Sequence, residues 1–220
     1  MTALMEKGNY QPINHDFMTE GVLALRGLAA VQRKYSKGDI DNFLNELHDS
    51  MVGHYLGFQY VNIEKHGFDC KYNLRTPVFL ESKVASFSAS TWNATFNDTT
   101  LEKAQAFKEN NLWLALSVWQ NAADLLFICY GRHRGIGEYL EGRVRAFLDG
   151  HGGVRSTQSI SLGKLMQDYA FRILSISMPP DDIVALLTLK SKALKKCVVP
   201  ERIDTLQTFQ EPYFLDEYKN

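Results

Sequence analysis

Asp69, Glu81 and Lys83 lie in the stretch HGFDCKYNLRTPVFLESKVASFSAST, and their types and spacing could do chemistry together. Residues two apart on a strand point to one face, so Glu81 and Lys83 share a face if Val78–Val84 is extended. If Asn73–Pro77 forms a five-residue connection, Tyr72 pairs with Val78 and Asp69 falls opposite Glu81. Directly opposed residues also share a face, with Cβ atoms about 5 Å apart. A slip of one residue would separate Asp69 from the other two. Two close carboxylates repel unless a cation sits between them. Hard oxygen ligands favour Mg²⁺, which keeps several waters and takes one or two carboxylates plus phosphate oxygens. A lysine beside such an ion can orient or deprotonate a water, or stabilise charge developing on phosphorus. That is equipment for phosphodiester hydrolysis.

The elements that must position these residues are legible in outline. A helix is expected over roughly Met18–Tyr35, inside an N-terminal arm of residues 1–38. Ile40, Phe43, Leu44, Leu47, Met51, Val52, Tyr55 and Leu56 recur at helical spacing, with Asp41 as a plausible N-cap and Gly57 as a stop. Short strand-like runs follow at Phe58–Ile63, Gly67–Tyr72 and Val78–Val84. Thr99 or Thr100 can cap a helix through Asn110, with Glu102 in its first turn. Leu112–Trp119 reads as a central strand, apolar on both faces, and Asp124–Tyr130 as another. Ile136–Leu148 returns to helical spacing. A short helix near Leu162–Tyr169 and a strand Phe171–Met178 close a core of residues 40–178, and a basic tail of residues 179–220 ends the chain. This order predicts a mixed α/β fold with one central sheet flanked by helices.

At GFDCK and LESK, in this order of elements, the chain resembles the PD-(D/E)xK nuclease superfamily and, within it, Type II restriction endonucleases. The resemblance covers roughly Ile40–Phe147. It implies a restriction-endonuclease-like central mixed β-sheet. Position by position, it makes Asp69 and Glu81 metal ligands, the Ser82 carbonyl another, and Lys83 the active-site lysine. Glu46, on the preceding helix, is the matching candidate for a further carboxylate at the metal, although that position also suits a solvated helix residue. The proline of the motif's name is absent, since Phe68 precedes Asp69. The activity implied is Mg²⁺-dependent, sequence-specific hydrolysis of double-stranded DNA, leaving 5′-phosphate and 3′-hydroxyl ends. A symmetric homodimer on a palindromic site is the simplest arrangement for such a chain.

After Lys83 comes SFSASTWNATFNDTT, a dense run of short hydrogen-bonding side chains: Ser86, Ser88, Ser90, Thr91, Asn93, Thr95, Asn97 and Asp98. Hydroxyls and amides of this kind contact phosphates, and asparagine can bond an adenine edge in two places. Trp92 and Phe96 could pack beneath the segment or stack on a base. The competing reading is a surface loop that caps the next helix. Arg132, His133 and Arg134 form a compact cationic loop past a strand end, suited to phosphate or guanine, or equally to pairing with nearby acids. Lys190, Lys192, Lys195 and Lys196 could contact phosphate or simply be a solvated face.

Composition limits the alternatives. A hydrophobic share of 45% with 22% charged residues describes a folded chain and excludes disorder, collagen and coiled coil. No apolar run is long enough to cross a bilayer. A formal charge of −1 argues against a non-specific nucleic-acid coater, yet it permits a locally basic cleft. Cys70, Cys129 and Cys197 are well spread and form no C-x-x-C pair, which fits a reducing compartment. With no signal-peptide-like stretch in MTALMEKGNYQPINHD, a cytoplasmic location is expected. No zincin helix, nucleophile elbow, P-loop or dinucleotide fingerprint appears. Two rivals to restriction remain: a structure-directed repair or phage-processing nuclease of the same fold, and a non-catalytic DNA-binding protein.

Overall fold

The computed structural model describes residues 15–35, 40–61, 68–72, 78–109, 112–151, 156–190, 194, 197 and 200–209. The chain divides into two compact units, Met1–Leu47 and His48–Asn220. In the first, α1 (His15–Lys34) is followed by the start of α2 (Ile40–Tyr55), and Gln32 and Phe43 are buried. The helix starts at Ile40, so Asp41 lies inside it rather than capping it. At the other end the expected stop holds: Gly57 takes a left-handed φ of 78°, and Phe58 N–H donates back to Gly53 O at 2.8 Å.

The second unit is built on a mixed sheet of seven described strands, ordered β1 (Gln59–Tyr60), β2 (Cys70–Tyr72), β3 (Val78–Ser86), β5 (Leu112–Trp119), β6 (Leu125–Gly131), β8 (Arg172–Ser175) and β9 (Ile203–Asp204). Only β3 with β5 and β8 with β9 run parallel. The β5 run LWLALSVW is buried at every position, as a central strand between β3 and β6 requires. One face of the sheet packs Leu80, Trp113, Ala115, Ile128 and Leu174 against Val52 and Leu56 of α2. On the other face lies α3 (Leu101–Lys108), which crosses α4 (Arg134–His151) closely. A Cβ on Gly137 would stand 2.4 Å from Ala104 O, so only glycine permits that crossing.

Two features depart from the expected outline. The polar run after β3 is not all loop: Asn93–Thr99 forms β4, which pairs antiparallel with an unforeseen strand, β7 (Ser156–Ser161), in a separate two-stranded sheet. Ala94, Phe96 and Ile160 point inward while Thr95, Asn97 and Ser159 point out, the alternation of a half-buried ribbon. Burial of this inward row outweighs the low strand preference of Ser and Asn. Nor do residues beyond 178 form only a tail. After α5 (Leu162–Asp168) and β8, α6 (Pro180–Lys190) buries Ile183, Leu186 and Leu187, and β9 extends the central sheet. Among the described residues, no helix is long and apolar enough to cross a membrane.

Candidate active site

The register of β2 on β3 is Tyr72↔Val78 and Cys70↔Leu80, the pairing that a five-residue connection demands. The connecting residues 73–77 lie outside the described ones. Asp69 sits just before β2. Its N–H donates to Leu80 O at 3.1 Å, and its Oδ2 accepts the Ser82 N–H at 2.7 Å. Asp69 is thereby held against the strand that carries Glu81 and Lys83. Lys83 Nζ is 2.7 Å from Glu81 Oε1, and its ammonium also stands 5.6 Å from the centre of the Phe96 ring. The three residues singled out from the sequence are thus brought to one place.

Two further groups act there. Lys103, in the first turn of α3, reaches the same Glu81 Oε1 at 2.5 Å. Thr100 fixes this turn: its side chain accepts the Lys103 N–H at 3.2 Å. Asp49 on α2 lies near enough for its charge to act on Asp69, Cys70 and Lys83, and its carbonyl accepts from the Cys70 thiol at 3.4 Å. Neither could be found from local pattern. Lys103 is one of two lysines on a short helix, and Asp49 lies one helical turn beyond Glu46 with nothing to separate it from its neighbours. Glu46 itself belongs to the first unit, where it is half-buried on α2.

Glu81 is 1% exposed. Burial alone would push its carboxyl up, but Lys83 and Lys103 outweigh burial and hold it below the ordinary range. Burial likewise disfavours the Lys83 ammonium, and Glu81 and then Asp69 reverse this and raise it. Asp69 has the opposite balance. Burial, then the charges of Glu81 and Asp49, push it up to about 7 against the pull of Lys83 and the Ser82 N–H. A charge-paired glutamate thus stands beside an aspartate whose ionisation is costly.

One oxygen of this pair is left open. Both lysines crowd onto Glu81 Oε1, while Oε2 is buried and has no hydrogen-bond partner. An unmet carboxylate oxygen in the interior costs several kcal/mol unless a cation completes it. Among the described residues, no group of three or more His, Cys, Asp and Glu side chains is arranged to hold a metal. Two carboxylates are what Mg²⁺ commonly takes from a protein when phosphate and water supply the rest. The side chain of Ser82 is also buried, with Oγ unpartnered.

The remaining candidates fall at varying distances from this cluster. Ser86 ends β3, and Ser86 and Ser88 share a hydrogen bond of 2.9 Å. These two, with Ser90 and Thr91, are exposed, and Asn93 donates to Thr91 Oγ1 at 3.2 Å. Asn97 is exposed on β4. Trp92 and Phe96 are core residues, so they pack beneath the segment and cannot stack on a base. Trp92 lies under Lys190, whose Nζ is 3.7 Å from the ring centre and donates to Ala89 O at 2.8 Å. Lys192, Lys195 and Lys196 lie outside the described residues.

Gly131, at the end of β6, sits in the same row across the sheet as Leu114 and Glu81. The cationic loop therefore begins about 10 Å from Glu81, two strand spacings away. Arg132 lies 5.7 Å over the Trp113 ring, and His133 Nδ1 accepts the Gly135 N–H at 3.0 Å. Arg134 pairs with Glu138 at 3.0 Å on the exposed face of α4. Pairing with a nearby acid is thus realised at Arg134.

No protein-family model, no curated protein and no solved structure matches this chain.

Proposed function

We propose that the chain is a Mg²⁺-dependent DNA endonuclease of restriction type, with a restriction-endonuclease-like fold. The observation that carries this reading is the union of Asp69, Glu81 and Lys83 at one buried spot, with one Glu81 oxygen left without a partner. Asp69, Glu81 and the Ser82 carbonyl would hold the ion, which supplies Lewis-acid charge to the scissile phosphate and lowers the pKa of a bound water. Lys83 stays charged, orients the attacking water and stabilises charge developing on phosphorus. Attack in line leaves 5′-phosphate and 3′-hydroxyl ends. The exposed hydroxyls and amide of Ser86, Ser88, Ser90, Thr91 and Asn97, with the half-buried Asn93, lead directly from the Lys83 strand and suit the DNA backbone and base edges. Arg132, His133 and Arg134 offer a second, cationic contact. A homodimer is the simplest form on a palindromic site, and Leu23 and Leu25, exposed on α1, are apolar surface that a second copy could use.

The test is digestion of mixed-sequence plasmid and phage DNA with Mg²⁺ or EDTA, beside the Glu81→Ala and Lys83→Ala proteins. Discrete bands that need Mg²⁺ and vanish in both variants are expected. A metal-dependent smear would move the assignment to a structure-directed nuclease of the same fold. No cleavage with any metal, from proteins that still bind DNA, would leave a non-catalytic binding module.

A further inference from the structure

Lys103 is not part of the E-x-K spacing, and it comes from a different element. Its helix is placed by the Thr100 cap, by Phe107 packing edge-on against Phe96, and by the glycine-permitted crossing with α4. These contacts present its ammonium to Glu81 Oε1, the oxygen that Lys83 already occupies. Two ammonium groups on one oxygen repel each other. Sharing them between Oε1 and Oε2 would relieve that repulsion and satisfy both oxygens. Instead Oε2 is left open, so the cluster is poorly arranged as a purely structural ion pair. The Lys103 side chain is 26% exposed, and its long stem can carry the ammonium outward without unpacking the helix.

We propose that Lys103 is a positioning residue that competes with the divalent ion for Glu81. It neutralises the buried carboxylate while the ion is absent and opposes the ion's entry, and so sets the metal concentration at which the site fills. The inference rests on the divalent-ion reading above and concerns the metal-free chain, before any DNA is bound. Removing one positive charge a few ångströms from the ion should strengthen metal binding, by roughly tenfold once solvent screening is allowed for. A structural lysine would do the reverse, because its loss leaves Glu81 less well held.

The experiment is Mn²⁺ binding to the full-length, EDTA-stripped protein without DNA, followed by calorimetry and by the EPR signal of free Mn²⁺. Lys103→Met is expected to bind Mn²⁺ about tenfold more tightly than wild type, and Lys103→Arg, which keeps the charge, within about threefold of it. Glu81→Gln is expected to lose the site. Should Lys103→Met fail to fold by circular dichroism, Lys103→Gln carries the same expectation and retains an N–H for Glu81. Unchanged or weaker Mn²⁺ binding in the neutral variants, with wild-type binding abolished by Glu81→Gln, overturns the role of Lys103 alone. No Glu81-dependent binding in wild type overturns the metal reading itself, and this inference with it.

Discussion

Two charged clusters sit on the same sheet and are built to opposite rules. Toward the far edge, Arg172 grips Asp204 through two hydrogen bonds, Nε to Oδ2 at 2.9 Å and Nη2 to Oδ1 at 2.6 Å, and Tyr130 Oη donates to Oδ2 at 2.7 Å. Both carboxylate oxygens are satisfied, and Arg172 has a further acceptor in Glu201 O. This fork ties β9 and the 3₁₀ turn Pro200–Arg202 to β6 and β8. Around Glu81, by contrast, two lysines share one oxygen, the other is unmet, and Asp69 is pushed up to about 7. A closed cluster stabilises the fold, while one left open within a buried strand invites a ligand. Both are charged and partly or fully buried, so charge and burial do not separate them. Hydrogen-bond satisfaction does.

The sharpest way to break the comparison is to delete one charge from each cluster. Lys83→Ala should lower Mg²⁺-dependent cleavage by about a thousandfold or more, read as initial rates on plasmid DNA. Asp204→Ala should leave the rate within about threefold. Equal losses of activity would mean that the open cluster acts only through stability.

The next largest effect is in pH. Asp69 is raised in the folded chain from an ordinary value of 3.8 to about 7, so the folded state binds the extra proton. Its contribution to stability is therefore full below about pH 4 and is lost as pH rises toward 7, a fall of about 3 kcal/mol. Urea unfolding of the metal-free protein from pH 4.5 to 7.5 should show this slope, and Asp69→Asn should flatten it. An unchanged slope in that variant would remove Asp69 as its source.

For the closed cluster, Asp204→Ala should cost about 2 kcal/mol in urea unfolding, because Arg172 and the Tyr130 hydroxyl lose their shared acceptor. Gly137→Ala should cost about 1 to 2 kcal/mol by pushing α3 away from α4. It would thereby move Lys103 without touching Glu81, and a wild-type melting temperature would contradict the tight crossing. The smallest effect belongs to Arg134→Ala. Its exposed pair with Glu138 should contribute less than about 0.5 kcal/mol. A change in the salt dependence of DNA binding without loss of stability would identify Arg134 as a phosphate contact.

Much of the fold was legible along the chain. The apolar runs at Leu112–Trp119, interrupted by Ser117 alone, and Leu125–Tyr130 marked central strands, because a strand buried on both faces has few polar positions to spare. The pairing of Tyr72 with Val78 followed from the length of the connection, and with it the approach of Asp69 to the Glu81 strand. The β4–β7 ribbon was hidden. Its Ser, Thr and Asn content resembles a loop, and the apolar alternation at Ala94, Phe96 and Ile160 is short. α6 and β9 were masked by the lysines around them, although Ile183, Leu186 and Leu187 carry helical spacing.

The amino-acid order by itself determined that Glu81 and Lys83 would share a face of β3 and that Asp69 would come up beside that strand, because strand alternation and a short connection are local constraints. Only the tertiary structure decided that Lys103 and Asp49 join them, since those residues arrive on separate helices whose placement depends on packing across the sheet. It also decided which oxygen of Glu81 is taken and which is left open. That is a matter of direction in space, and linear spacing does not encode it.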